Sequence, residues 1–245
     1  MRILVVNDDG IKAEGIICLA EMAKEFGEVW VVSPKKQCSG MSQSITVKDP
    51  LIVKKEEFPV EDVRAYSVTG TPADCVEAGM LLVPEKPDLV FSGINHGYNV
   101  GYDTCNSGTV GAAMNALLHG VPAIAYSAKM SEDFQKMGGD FSVAKKYFSL
   151  VTRGIFEQEI SVTEIWNVNF PGCEPDEVQG VLWNRVPANK KFYFDHYERK
   201  EIDNDSFSIA MVNIQKCDDA EKDSDITAIN HNCISVGKIR NFAIR

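Results

Sequence analysis

The most constraining feature of this chain lies at its start. Ile3-Leu4-Val5-Val6 is an unbroken aliphatic run, and it stops at Asn7-Asp8-Asp9-Gly10. A run without polar alternation reads as a strand covered on both faces, hence part of a parallel sheet packed between helices. In open sheets of that kind, ligands bind at the carboxyl ends of the strands. Two adjacent carboxylates there repel each other and lose hydration. They persist beside something cationic, and a divalent metal is the simplest partner. Asn, Asp and Gly also build ordinary caps and turns, but a cap needs only one Asp.

After Gly10 the period changes. Ile16, Leu19, Ala20, Ala23 and Phe26 recur at helical spacing, with Gly27 expected at the C′ position. Val29 to Ser33 is a second buried strand, so the first 33 residues make a βαβ unit with parallel strands and a right-handed crossover. Ser44–Val47 and Leu51–Val53, flanking Lys48-Asp49-Pro50, read as a small hairpin. Thr71, Pro72 and Asp74 form a helix start with a capping box, which assigns Asp74 to the cap rather than to chemistry. Further strands are expected after Pro87, at Val121–Tyr126, Trp166–Val168 and Val181–Trp183, with helices from Val110 and near Phe141–Val151.

From Pro187 the character shifts. Lys190–Lys200 alternates aromatic and charged residues, and Ser206–Ile214 alternates again beyond Asp203-Asn204-Asp205. That pattern predicts a protruding two-stranded arm, and an isolated hairpin is marginal in water, so the arm should pack on a partner subunit. Cys217–Asp225 reads as an acidic flexible stretch, and Asp225–Val236 as a closing hairpin with Asn230-His231-Asn232 at its turn. The expected division is a main α/β domain over 1–185, then an arm and C-terminal hairpin over 186–245.

A chain of 245 residues buries a sizeable core without disulfide or zinc staples. Its net charge of -10 argues against nucleic-acid polymers and anionic membranes, but not against a small phosphorylated ligand whose charge a metal offsets. No apolar run approaches a membrane span, and the short apolar start is no signal peptide. The seven cysteines are widely spaced without C-x-x-C, which points to a reducing cytoplasm.

Three more loops should join Asp8 and Asp9 at the same rim. Pro34–Ser44 carries Ser39, Gly40, Lys35 and Lys36; Ser39-Gly40 suits a hydroxyl ligand or an anion nest, against the plainer reading of a solvated connector. The buried strand ending in Ser92-Gly93-Ile94-Asn95 brings Asn95. A glycine-rich loop from His96 then leads to a helix start at Ser107-Gly108-Thr109, either an ordinary cap or an anion site suited to phosphate. The candidate ligands are all oxygen donors, which favour Mg²⁺, Mn²⁺ or Ca²⁺ over zinc or copper. A hard cation beside an anion site implies a phosphate ester.

The ordered set Asn7-Asp8-Asp9-Gly10, Ser39-Gly40, Gly70-Thr71-Pro72-x-Asp74-Cys75, Ser92-Gly93-Ile94-Asn95-x-Gly97-x-Asn99-x-Gly101 and Ser107-Gly108-Thr109-Val110 resembles the SurE family of survival-protein nucleotidases. Asn167-Val168-Asn169-Phe170-Pro171 is similar as well, so the resemblance spans nearly the whole chain. It implies metal-dependent hydrolysis of nucleoside 5′-monophosphates, with tolerance for 3′-nucleotides and polyphosphate. It implies one divalent cation per subunit held by Asp8, Asp9, Ser39 and Asn95, phosphate held by Ser107, Gly108 and Thr109, and catalysis by Asp8, Asp9 and Asn95. The implied fold is a three-layer α/β/α Rossmann-like domain with a C-terminal extension exchanged in homodimers or homotetramers. Two positions depart from the family: Glu14 stands where Pro is common, and Cys38 where a basic residue is common, leaving Lys35 or Lys36 to substitute.

The rival readings are a receiver-like Mg²⁺-binding signalling module and a nicotinamide oxidoreductase. The first lacks a phosphoacceptor Asp after Leu89–Phe91, although Lys129 echoes the receiver lysine; the second lacks G-x-G-x-x-G after the opening strand. His96 is a candidate general acid for the leaving oxygen, equally readable as a surface histidine. Cys38 and Cys105 flank the site, but a nucleophilic thiol needs a fixed cationic activator.

Overall fold

The computed structural model describes residues 1–130, 140–218 and 220–244, with side chains left undescribed at 194–196 and 211–216. The opening run forms β1 (Arg2–Val6), followed by α1 (Glu14–Ala23) and β2 (Glu28–Pro34). Then come β3 (Val53–Glu56), β4 (Arg64–Val68), α2 (Pro72–Leu82) and β5 (Leu89–His96). A 3₁₀ turn (Gly101–Cys105) leads into α3 (Gly108–Leu118), β6 (Ala123–Ala128), α4 (Ser142–Phe156), β7 (Glu164–Phe170) and β8 (Gly180–Arg185). The chain ends with β9 (Tyr193–Glu201), β10 (Phe207–Lys216), α5 (Asp225–Asn230) and β11 (Cys233–Arg240).

Nine strands make one sheet in the order β3-β4-β2-β1-β5-β6-β7-β11-β8. From β4 through β7 all pairings are parallel; β3 and β11 enter antiparallel to β4 and β7. β1 explains the layering. Ile3 and Val5 point to one face, into a core shared with Ile16 and Leu19 of α1 and Phe148 and Val151 of α4. Leu4 and Val6 point to the other, into a core shared with Val76 of α2 and Val110, Ala113 and Ala116 of α3. Period-two alternation in a wholly apolar strand therefore supplies both faces of a three-layer α/β/α sandwich.

The topology fixes where a ligand belongs. From β1 the chain moves outward to β2 and β4, then returns to place β5 on the opposite side of β1. The strand order reverses between β1 and β5, and the crevice outside their carboxyl ends is the topological switch point.

The structure corrects the sequence reading in four places. Residues 44–47 form no strand; the hairpin is instead β3 with β4, paired from Val53–Val68 to Glu56–Ala65. α1 ends at Ala23 rather than just before Gly27, and Gly27 is held close to Met1. Asp225–Asn230 is a helix, not half of a hairpin, because Ser224 caps it by accepting from Thr227 N at 3.2 Å. Finally, the tail is not one appendage: β9 and β10 form the separate two-stranded arm, while β11 returns between β7 and β8. Ile234 and Val236 are wholly buried in the main core, which makes the last strand part of the Rossmann-like sheet.

Candidate active site

Asp8 and Asp9 leave the end of β1 into the switch-point crevice, and both are buried, at 3% and 8% exposure. The turn that carries them is locked from below. Asn7 donates through Nδ2 to Gly10 O at 3.0 Å and accepts from Ser33 Oγ at 2.5 Å. Gly10 sits at φ +99°, a conformation that side-chain-bearing residues rarely adopt, so glycine is required for the chain to turn here.

The two carboxylates face different neighbours. Asp8 accepts from Thr109 Oγ1 at 2.7 Å, in the first turn of α3. Gly108 lets that helix come close: a Cβ there would lie 2.8 Å from Asp8 Cβ and 3.0 Å from Pro72 Cγ. Asp9 accepts from the backbone N–H of His96 at 3.1 Å, at the end of β5, and from the Gln37 side chain. The acid pair therefore spans the crevice, with Asp8 turned to α3 and Asp9 turned to the ends of β5 and β2.

Burial pushes the Asp8 carboxyl up to about 7, and the adjacent Asp9 charge adds to the rise; the Thr109 hydroxyl works against it. Burial also raises Asp9, opposed by His96 N–H and Gln37. No cationic side chain among the described residues offsets either carboxylate. A buried like-charged pair in that state has strong affinity for added positive charge, as a proton or a metal ion.

Asn95 is half-buried at the end of β5 and commits Nδ2 to Gly97 O at 2.8 Å, leaving its amide oxygen as the remaining acceptor. Ser39 lies on the exposed loop after β2, where Oγ accepts from Gln37 Nε2 at 3.0 Å. Gln37 touches both Asp9 and Ser39, and Cys38 N donates to Asp8 O at 2.7 Å, which ties this loop to the acid pair. Ser107 caps α3, accepting from Val110 N at 3.1 Å. Thr109 is wholly buried and gives its hydroxyl to Asp8, so it orients a carboxylate.

Residues to which the sequence reading assigned no role hold the glycine-rich loop. Asn99 N donates to Asn169 Oδ1 at 2.9 Å, and Asn99 O accepts from the Asn167 and Asn169 amides at 2.8 and 3.1 Å. Asp103 accepts from the N–H groups of Phe192 and Tyr193, and Tyr193 OH accepts from Tyr98 N at 2.9 Å. Asp225 accepts from Gly101 N at 2.9 Å, Ala188 N at 3.0 Å and Ile226 N at 2.8 Å. The loop thus rests on β7, α5 and the root of the arm, where Tyr98, Val100, Phe192 and Ile226 form a small apolar cluster of their own. Only the Asn-x-Asn repeat in β7, polar residues in a buried strand, offered a signal.

The remaining sequence candidates fall into place. Asp74 bonds Thr46 and Thr71 and completes the capping box of α2. The Cys38 thiol is pushed up by burial and by the Asp8 and Asp74 charges, the opposite of an activated nucleophile. Cys105 is exposed, and its carbonyl accepts from Ser42 Oγ at 2.9 Å. Lys129 reaches Gly172 O, and the hydroxyl of Ser92 in β5 turns inward to Thr109 O at 2.8 Å, so nothing here builds a receiver site. His119 pairs with Glu77 at 2.9 Å and His231 with Thr227 O at 2.8 Å; the His196 side chain lies outside the described set.

Fold and site together define a Rossmann-like α/β protein whose switch-point crevice sets a buried acid pair against a helix N-terminus. The family model for survival protein SurE matches residues 3–192. The chain belongs to the SurE family. It is 36% identical to a 5′-nucleotidase SurE of Clostridium botulinum, over 96% of this chain and 91% of that one. A 5′-nucleotidase SurE of Nitrobacter winogradskyi is 35% identical over 98% and 93%. Among solved structures, the SurE protein from Aquifex aeolicus superposes with a TM-score of 0.78 at 32% identity, covering 98% of this chain and 93% of its own.

Proposed function

We propose that this protein is a divalent-cation-dependent 5′-nucleotidase that releases inorganic phosphate from nucleoside 5′-monophosphates. One observation carries the reading: a buried acid pair without a cationic partner, set against the N-terminus of α3, in a chain whose relatives are named 5′-nucleotidases. The donor set fits a hard cation. Asp8, Asp9, Ser39 and Asn95 offer carboxylate, hydroxyl and amide oxygens, and among the described residues no cluster of three or more His, Cys, Asp or Glu offers an alternative metal site. A Mg²⁺, Mn²⁺ or Ca²⁺ ion held there supplies the charge that polarises a phosphoryl group and acidifies the attacking water.

The chain's own residues do the rest. Ser107, Gly108 and Thr109 bring the positive end of α3 to the phosphate. Thr109 and the His96 N–H hold the two carboxylates in fixed directions, so that little reorganisation is needed when substrate arrives. Lys35 and Lys36 line the same cavity as Asp9 without pairing with it, and stand in toward the phosphate for the missing basic residue at Cys38. The arm, exposing Tyr197, Phe207 and Ile209, serves exchange between subunits of a homodimer or homotetramer. No disulfide joins the cysteines of the described residues, which supports a reducing cytoplasmic setting. No described helix is long and apolar enough to cross a membrane.

The test is phosphate release from a panel of nucleoside monophosphates with Mg²⁺ or Mn²⁺, with and without chelator. Turnover that survives chelation, or no turnover of any monophosphate, would refute the reading. Deleting residues 190–214 should lower the number of subunits per particle seen by light scattering; an unchanged oligomer removes the exchange role of the arm.

A further inference from the structure

A cavity of about 430 Å³ opens on the Asp9 side of the acid pair. That size falls in the ~300–1,000 Å³ range of small-molecule sites. Asp9 itself forms part of the wall, with the first turn of α1 on one side and Lys35, Lys36 and Gln37 on the other. Two rings complete it. Phe141, just before α4, is buried against Gly15 and makes the floor, and His96 makes the wall next to Asp9.

The opposite side of the pair is tightly packed. Gly108 is wedged between Asp8 and Pro72, Thr109 is wholly buried, and the loop beyond β5 is bonded down to β7 and the arm root. Cavities beside Lys238, His119 and Arg185 contain no residue of the loops after β1, β2 or β5. A phosphate monoester bound between Asp8, Asp9 and α3 must place its organic half within bonding reach of the phosphate. The Asp9 side offers a cavity for it.

We propose that this cavity holds the nucleoside half of the substrate, with the base against Phe141 and His96 and the ribose hydroxyls at the Gln37 and Glu14 edge. The lining matches that ligand. Base faces stack on aromatic rings without regard to sequence of the base, which predicts tolerance among bases. Glu14 supplies a carboxylate acceptor for a ribose diol, and Gln37 the amide oxygen as a second acceptor, its N–H donors being held by Ser39 and Asp9. The inference rests on the nucleotidase reading and adds where, and by which side chains, the nucleoside is recognised.

The experiment compares kcat/KM for the four ribonucleoside 5′-monophosphates with that for methyl phosphate, which has no nucleoside to bind. Phe141→Leu keeps an apolar side chain but removes the ring, and should lower the nucleotide-to-methyl-phosphate ratio about tenfold, chiefly through KM. His96→Ala should lower the same ratio, and Glu14→Gln should reduce discrimination between ribo- and 2′-deoxyribonucleotides. If Phe141→Leu does not fold, inhibition of the wild type decides: free nucleoside should compete with methyl phosphate, and ribose far more weakly. Nucleotide turnover with unchanged ratios and no inhibition by free nucleoside would overturn this proposal alone. A wild type that turns over methyl phosphate but no nucleotide would end both readings.

Discussion

Two groups of buried or half-buried carboxylates lie on either side of the glycine-rich loop, and they are held in opposite ways. At the arm root, Asp225 and Asp103 are surrounded by backbone N–H groups: three for Asp225, two for one oxygen of Asp103. At the end of β1, Asp8 and Asp9 sit next to each other, with one hydroxyl, two N–H groups and one amide side chain shared between them as donors from other segments. Burial raises the pKa in both places, to about 6 for Asp225 and about 7 for Asp8. A raised carboxyl is therefore no mark of function by itself. What differs is satisfaction: Asp225 is fully occupied in joining three chain segments, whereas the acid pair retains acceptor capacity and mutual repulsion that only an added cation removes.

The sharpest way to break this comparison is to neutralise each group in turn. Asp8→Asn and Asp9→Asn should each cut nucleotide turnover by more than the ~10–100-fold that even outer partners of a metal site cost. The fold should persist, and the metal-free Asp8→Asn protein should be more stable than wild type at pH 8, by about 2 kcal/mol, because one of two unpaired buried charges is gone. Thermal melts and phosphate-release rates on the same samples check both halves. A variant with near-normal turnover, or one less stable than the metal-free wild type, would contradict the assignment.

The next effect is smaller and runs through pH. The folded Asp8 carboxyl titrates near 7, above its ordinary value of 3.8, so between those values the native state binds more protons than the unfolded chain. Stability from this group is then fully present below pH 4 and is lost as pH rises through 7. Metal-free protein should melt at a lower temperature at pH 8 than at pH 6. Added Mg²⁺ should restore the melt at pH 8 and do progressively less below pH 7, where the ion must displace a proton. Because the whole chain is acidic, the control is Asp8→Asn, in which this slope should flatten; an unaltered slope would place the titration elsewhere.

The same contrast marks how far the sequence could be read. The acid pair, the Ser107 cap and the Asp74 capping box were legible because each is a local signal: a pattern within four residues and one element end. The apolar runs at Ile3–Val6 and Leu89–Phe91 gave the buried strands, and Val6 and Asn95 the edge at which to look. The arm-root carboxylates were not legible, since Asp225 acts on Gly101 from 124 positions away. β11 failed for a related reason. Its place between β7 and β8 is set by long-range pairing, and the short helix before it carries the β-rich composition Ile-Thr-Ala-Ile that reads as a strand. Residues 44–47 failed in the opposite direction: β-branched residues there go unpaired because Thr46 spends its backbone N–H and hydroxyl on Asp74.

At the arm root, Asp225→Asn should act through stability first. The amide keeps one acceptor oxygen for Ala188 and Ile226 but turns a donor toward Gly101 N–H, which loses its partner. Loss of a bond to a charged acceptor costs about 1.5–3 kcal/mol, or several degrees in a melt for a domain of this size. The sign is opposite to that of Asp8→Asn, and a melt that rises instead would show that Asp225, too, is an unsatisfied charge.

The smallest change probes the acid pair without touching either carboxylate. Thr109→Val keeps the shape of a wholly buried side chain and removes the hydroxyl that donates to Asp8 at 2.7 Å. That bond favours the ionised carboxylate, so its loss raises the proton affinity of Asp8 further. Turnover at pH 7 should fall about tenfold, and the acid limb of the pH–rate profile should move to higher pH. Thr109→Ser, which retains the donor, should restore both the rate and the position of the limb. Equal losses in Val and Ser would assign Thr109 to packing, and the two carboxylate groups would then differ less in their support than the hydrogen bonds indicate.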